Sequence, residues 1–211
     1  MAKVLGGIGQ FLSGSIEGLV FVRRDGETHM RSAPRKRKEG EWSEKQKKAR
    51  IGFSTVIKYA RLHKEKVIVP IWNKAAKGLT MSGYNLFVKA NRSAFDSMGQ
   101  LGDAGLLHFS TGHLPLPYLL SASVDAENPA SIAVNWTDQM ANAVYNNDCL
   151  MAVIYKDGAN VVLNTGFTRK DCKATIENPT PDAQVVYLYL FFWNQKLDIY
   201  SIDQVFAIKH L

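Results

Sequence analysis

The sequence predicts an α+β fold: an N-terminal β-hairpin and two helices, followed by a C-terminal antiparallel β-sandwich. Three observations carry this reading. Asp25-Gly26, a strong hairpin signal, separates two apolar-containing runs. Apolar residues recur at helical spacing between Ser43 and Met98. From residue 106 short β-rich runs appear at roughly the 8–12-residue spacing of an all-β sandwich. The corresponding organisation is a glycine-rich, basic arm with a hairpin over residues 1–42, a helical segment over 43–100 and a sandwich domain over 101–211, joined by the glycine-containing stretch 99–105.

The first run, residues 16–24, holds Ile16, Leu19, Val20, Phe21 and Val22 ahead of Arg23 and Arg24. Thr28 to Ser32 is its return strand, and Pro34, which has no N–H to donate to a ladder, ends it. The stretch before it, Leu5 to Gly14, is read as an irregular arm; Gly6-Gly7-x-Gly9 follows no strand and opens no βαβ unit, so it is not a dinucleotide fingerprint. Ser43-Glu44-Lys45-Gln46 fits a capping box, and Ala49, Phe53, Val56, Ile57 and Ala60 give the first helix one apolar face. That helix is expected to fade near Lys66, before Val67-Ile68-Val69-Pro70. Thr80 is the expected cap of a second helix through Tyr84, Phe87, Val88, Asn91, Ala94, Phe95 and Met98, with Gly99 as its stop.

The expected strands are Leu106–Ser110, Leu114–Val124, Ser131–Thr137, Leu150–Tyr155, Val161–Phe167, Ala174–Ile176, Gln184–Trp193 and Ile199–Ile208. Of these, 184–193 is apolar at both odd and even positions, the mark of a central strand covered on both faces, with the helices supplying part of the cover.

With 211 residues, 46% hydrophobic and 21% charged, the chain is long enough for a real core and is not a disordered polymer. No stretch approaches the ~18 apolar residues of a membrane span. Residues 1–7 make a poor secretory signal, so the cytoplasm is the default location, with a virion as the alternative. Cys149 and Cys172 lack metal-ligand spacing and read as two thiols or as a cross-strand disulfide.

Charge is strongly asymmetric. The net +7 combines a surplus of 12 positive charges in residues 1–100 with a deficit of 5 in residues 101–211. The basic candidates for gripping a polyanion or a partner subunit are Arg23, Arg24, Arg31, Arg35, Lys36, Arg37, Lys38, Lys45 and Lys48, with Phe21 and Trp42 able to stack on bases if exposed. A solvated linker and a charged helix face explain the same residues without a ligand.

Residues 106–211 resemble the fibronectin type III or immunoglobulin-like class. Trp136 in Ile132-Ala133-Val134-Asn135-Trp136 is similar to the early-strand tryptophan of fibronectin-type modules, and the resemblance gives Tyr187 or Tyr189 the part of their late-strand tyrosine. The whole chain resembles an uncharacterised family of the Bacteroidota, a domain of unknown function. Gly6, Gly9 and Gly14, Arg31-Ser32-Ala33-Pro34, Ser43-Glu44-Lys45-Gln46 with Arg50, Ser110-x-Gly112-x-Leu114 and Trp136-Thr137-Asp138 carry that resemblance. It brings no activity, so it carries over no catalytic residue. Families of this kind can serve chromosomal, mobile-element or phage roles.

Nothing in the sequence announces catalysis. There is no nucleophile elbow, P-loop or zinc-binding histidine pair. His108 and His113 are near enough in sequence to approach one another, with Asp103 as a nearby carboxylate, but ordinary histidines fit as well. Asp138, Asp148 and Asp157 lie near turns, where aspartate serves the backbone. The expectation is therefore a non-catalytic structural or interaction protein without cofactor. Its partners are the subunits of an assembly such as a phage particle, including further copies of itself. The alternatives are sequence-nonspecific nucleic-acid binding, and carbohydrate or surface binding through Tyr118 or Tyr145 on the sandwich loops.

Overall fold

The computed structural model describes residues 2, 3, 7, 11–24, 26–34, 42–125, 127, 128, 130–137, 144–156, 159–178 and 185–209. It is a mixed α+β structure with several antiparallel sheets, and the chain divides into two compact units, Met1–Glu44 and Lys45–Leu211.

In the first unit, β3 (Leu19–Arg24) and β4 (Glu27–Ser32) pair antiparallel around Gly26, whose φ of +81° suits a residue without Cβ. The hairpin is the centre of a four-stranded sheet. β2 (Gly14–Ile16) pairs with β3, and β1 (Ala2–Lys3) pairs with β4. The glycine-rich arm is thus drawn into the sheet at both its ends, while residues 4–6 and 8–10 lie outside the described residues.

The second unit begins with α1 (Glu44–Leu62), directly after Ser43. Its buried stripe is Gly52, Val56 and Ala60, at i, i+4 and i+8. Ala49 and Phe53, expected on the apolar face, are instead exposed. The small residues explain the rotation. A Cβ on Gly52 would sit 3.2 Å from the Asp96 carbonyl and closer still to the Arg92 guanidinium, so the helix packs by its slimmest edge. The expected end near Lys66 is also corrected. The chain continues as a π-helical stretch, Lys64–Trp72, and the short α2 (Asn73–Ala75). Val67 and Ile68 both donate to the His63 carbonyl at 3.0 Å. The wider register relieves the clash that Pro70 would make with a carbonyl four residues back, so proline does not break the helix here. This stretch buries Val67, Ile68, Ile71 and Trp72.

α3 (Gly83–Asn91) is capped by Ser82, whose hydroxyl accepts from the Asn85 N–H at 3.3 Å, in place of Thr80. It ends at Asn91 rather than Gly99, because the Asn91 side chain is committed to the backbone of His108. The expected strand Leu106–Ser110 is absent: Leu106 closes a short 3-10 turn and Leu107 to Ser110 is irregular. Side chains, not a ladder, satisfy its backbone: Asn91 Oδ1 accepts from His108 N at 2.8 Å and Asp203 Oδ2 from Phe109 N at 3.0 Å.

The strands that follow are β5 (Tyr118–Val124), β6 (Ser131–Thr137), β7 (Cys149–Lys156), β8 (Ala159–Thr168), β9 (Lys173–Glu177), β10 (Val185–Asn194), β11 (Ile199–Tyr200) and β12 (Gln204–Lys209). The expected Leu114–Val124 run starts only at Tyr118, since Pro115 and Pro117 cannot donate to a ladder. The expected Ile199–Ile208 run is split, since Ser201 to Asp203 turn away to bind Phe192 and Phe109. β5-β6-β9 form one antiparallel sheet; in the other, β8 and β7 lead to β10, which also pairs β11 and β12.

β10 has two buried faces. Val186, Leu188, Leu190 and Phe192 join Ile132, Val134, Trp136 and Ile176 of the three-stranded sheet in one cluster. Tyr189 and Phe191, on the other face, join Val56, Ile68, Trp72 and Phe87 of the helices in a second. β7 alternates the same way, with Ala152 and Ile154 on one side and Val153 and Tyr155 on the other. Helices, central sheet and outer sheet are therefore layers of one unit, and the stretch 99–105 runs inside it rather than between two units. Tyr187 and Tyr189 both face the helical layer, and Tyr189 donates to the Ala104 carbonyl, so neither stands beside Trp136.

Gly112 is pinned against β11. A Cβ there would lie 2.1 Å from the Tyr200 carbonyl oxygen. Gly112→Ala is expected to cost more than about 2 kcal/mol through forced backbone displacement, read as a lowered melting temperature in thermal denaturation.

Candidate functional site

The basic residues singled out from sequence divide between the two units. In the first, the β3–β4 register pairs Val20 with Arg31 and Arg23 with Thr28. Side chains alternate across a sheet, so Arg23 shares a face with Phe21 and Met30, while Arg31 lies on the opposite face with Val20, Val22 and His29. Arg24 stands opposite Glu27 in the register. The three arginines therefore do not form one basic face. Arg35, Lys36, Arg37 and Lys38 lie outside the described residues.

In the second unit, Lys45 and Lys48 fall in the first two turns of α1, where every residue from Glu44 to Ile51 is exposed. Lys47 and Arg50 belong to the same stretch. Phe53, three residues beyond Arg50 and so its neighbour on the helix surface, is 53% exposed. This segment presents cations next to bare apolar side chains. Tyr118 is exposed as well, but Tyr145 is packed under the Arg169 guanidinium, 5.9 Å from its ring centroid.

Titratable groups elsewhere separate into structural and accessible ones. Asp148, read from sequence as a turn residue, is fully buried and pairs with buried Arg169: Nε donates to Oδ2 at 3.0 Å. Arg169 Nη2 also donates to the Pro115 carbonyl at 2.6 Å, and Asn194 Nδ2 to Asp148 Oδ1 at 2.6 Å. Trp136 Nε1 donates to the Arg169 carbonyl at 2.7 Å, and the guanidinium lies 4.8 Å from the Phe192 ring centroid. These contacts tie both sheets together at one end and offer nothing to a ligand. No sequence signal marks Arg169. Cys149 and Cys172 are free thiols.

His63 is buried among Tyr59, Phe87 and Phe109. Burial lowers its pKa to about 4. His108 is different. Its side chain is half exposed, and Nδ1 lies 3.3 Å from Oδ1 of the buried Asp203. That hydrogen bond, helped by the aspartate's charge, raises the His108 pKa above the ordinary histidine value against the opposing effect of partial burial. The sequence pointed to His113 and Asp103 as its neighbours. Asp103 instead caps a short turn by accepting from Gly105 N, and His113 lines a separate hollow with Lys74, Asp198 and Tyr200. His108 and Asp203 lie 95 residues apart in the chain, beyond the reach of spacing rules. They line a cleft of about 490 Å³ with Trp72, Leu86, Lys89 and Ile202. Among the described residues no group of three or more His, Cys, Asp or Glu is placed to hold a metal ion, and no helix is long and apolar enough to cross a membrane.

Comparison with known proteins finds no protein-family model and no curated protein that matches the chain.

Removing one partner of the buried pair, as in Asp148→Asn or Arg169→Met, is expected to cost about 3–5 kcal/mol in denaturant unfolding, and Asp148→Leu combined with Arg169→Met to recover part of it. For His63 the folded pKa is depressed, so the unfolded chain takes up the proton first. Stability is fully present above the unfolded pKa of 6.5 and falls as pH drops toward about 4, by up to roughly 3 kcal/mol. Comparing urea melts of the parent and His63→Leu across that window isolates this contribution, which the variant lacks.

Proposed function

We propose that this chain is a non-catalytic assembly protein, in which the first unit is completed by a second copy and the β-rich second unit is the rigid module. One observation carries this. Among the described residues of the first unit, Thr28 is the one side chain that is buried. Ile16 and Leu19, paired in the β2–β3 register and so on one face of its sheet, are both exposed in the folded chain, and Val22 is exposed on the other face. Small sheets without a hydrophobic face packed on something else are marginal in water, and exposed apolar residues in a cluster mark contact surfaces. The charge asymmetry favours a second copy as the partner, because residues 101–211 carry the negative excess that the basic first part lacks.

The pairing of β5-β6-β9 in one sheet and β8-β7-β10-β12 in another, with Trp136 in the core both contribute to, supports reading the β-rich part as a fibronectin type III or immunoglobulin-like sandwich. Such a module supplies a rigid body and says nothing of chemistry. The resemblance to the uncharacterised Bacteroidota family and a virion role are consistent with an assembly protein. Sequence-nonspecific nucleic-acid binding is favoured by a separate feature, the exposed Lys45, Lys47, Lys48 and Arg50 at the start of α1.

Sedimentation velocity on the full chain separates the two readings. Association that rises with concentration, persists at about 1 M salt and is abolished in the Ile16→Glu/Leu19→Glu variant is expected if apolar burial drives assembly. A monomer at all concentrations contradicts it. Binding of labelled DNA with a steep salt dependence by that monomer establishes the nucleic-acid reading instead.

A further inference from the structure

The cleft around His108 presents an exposed imidazole on a backbone that buried side chains hold in place. One buried side chain fixes the backbone of His108 and a second meets its imidazole. Asn91, with no exposed surface, grips the His108 backbone from both sides: its Oδ1 accepts from His108 N at 2.8 Å, and its Nδ2 donates to His108 O at 3.0 Å. Asp203 accepts from Phe109 N through Oδ2 and meets His108 Nδ1 through Oδ1. With Nδ1 engaged, Nε2 is the ring atom left for a ligand. Both carboxylate oxygens of Asp203 have partners already, and its side chain is almost wholly buried, so it presents little negative surface to the cleft.

The other walls set the character of the ligand. Trp72 and Leu86 come from the π-helical stretch and α3, Ala90 from the last turn of α3, and Ile202 from the turn between β11 and β12. They are apolar. The charged groups that line the cleft with His108 are Asp203 from that turn and Lys89 from α3; Ser110 and Thr111 are uncharged, and the Ser110 hydroxyl is committed to the Ser201 carbonyl at 2.6 Å. With His108 protonated the cleft carries one net positive charge above an apolar floor. A volume of about 490 Å³ is within the range of small-molecule sites.

We propose that this cleft binds a carboxylate carried on an apolar body, the acid group held between His108 Nε2 and the Lys89 ammonium and the body lying on Trp72, Leu86 and Ile202. The inference uses the second unit alone and does not depend on the assembly reading. Two sources present this chemistry: a free aromatic or aliphatic acid, and a glutamate flanked by apolar residues in a peptide.

The test is a titration of the ¹⁵N-labelled full chain with 3-phenylpropionate, with 3-phenylpropanol as the uncharged control and an acetylated, amidated Leu-Glu-Leu peptide as the second source. The expected result is amide shifts confined to the residues around Leu86, Lys89, His108 and Ile202, with the acid bound at least about tenfold more tightly than the alcohol. His108→Gln and Lys89→Met, both at exposed positions, should each weaken the acid several-fold while leaving the alcohol unchanged. Binding should also weaken as pH rises through the His108 titration. Tighter binding of the peptide than of the free acid assigns the site to a protein segment, and the reverse assigns it to a small acid. Equal binding of acid and alcohol, no shifts up to about 10 mM acid, or unaltered affinity in both variants overturns the proposal.

Discussion

The second unit depends on one strand with two buried faces. A strand between two apolar layers must be apolar at every position. β10 meets this demand from Val186 to Phe192, and β7 follows it beside β10. The helices and the outer sheet each bury an apolar side against the central sheet. Each is held to the other through the central sheet, so an alteration at Phe87 and one at Ile132 act on opposite sides of the same strand. The Arg169–Asp148 pair closes one end of this arrangement, joining the chain before β7, the turn after β8 and the end of β10. The Asn91 and Asp203 side chains do comparable work near the helices, satisfying an irregular segment that would otherwise leave backbone groups unpaired.

The first unit is the opposite case. Its strands are well paired, since β3 and β4 match over six residues, but pairing alone contributes little when the side chains remain in water. Its exposed Ile16, Leu19 and Val22 are apolar side chains that the folded chain leaves with something to bury. A self-sufficient core in one unit and an incomplete one in the other is the arrangement expected of a subunit that presents a contact element from a rigid body.

Much of the fold was legible in the sequence because its strongest signals are local. Asp25-Gly26 marked the hairpin, Ser131–Thr137 was bounded as the structure has it, and the doubly apolar 184–193 run announced a covered central strand with helices over it. The failures were also physical. Phe53 looked like a core residue by spacing, but small Gly52 drew the helix in on another edge. Pro70 looked like a helix end, but the register widened around it. Arg23 and Arg31 looked like one patch, but sheet alternation puts them on opposite faces. Of the candidate sites, the basic stretch of α1 could be read directly, whereas the His108–Asp203 contact and the Arg169–Asp148 pair join residues 95 and 21 positions apart, which no spacing rule reaches.

Hydrogen exchange measured on the full chain at low and high protein concentration tests the central claim most directly, since amide protection reports the local opening free energy of each element. The amides of β7 and β10 are expected to be strongly protected at both concentrations, and those of β3 and β4 to exchange quickly when dilute and to become protected as the chain associates. Equal and strong protection of β3 and β4 at both concentrations would show that the first unit is stable without a second copy, and would contradict that claim.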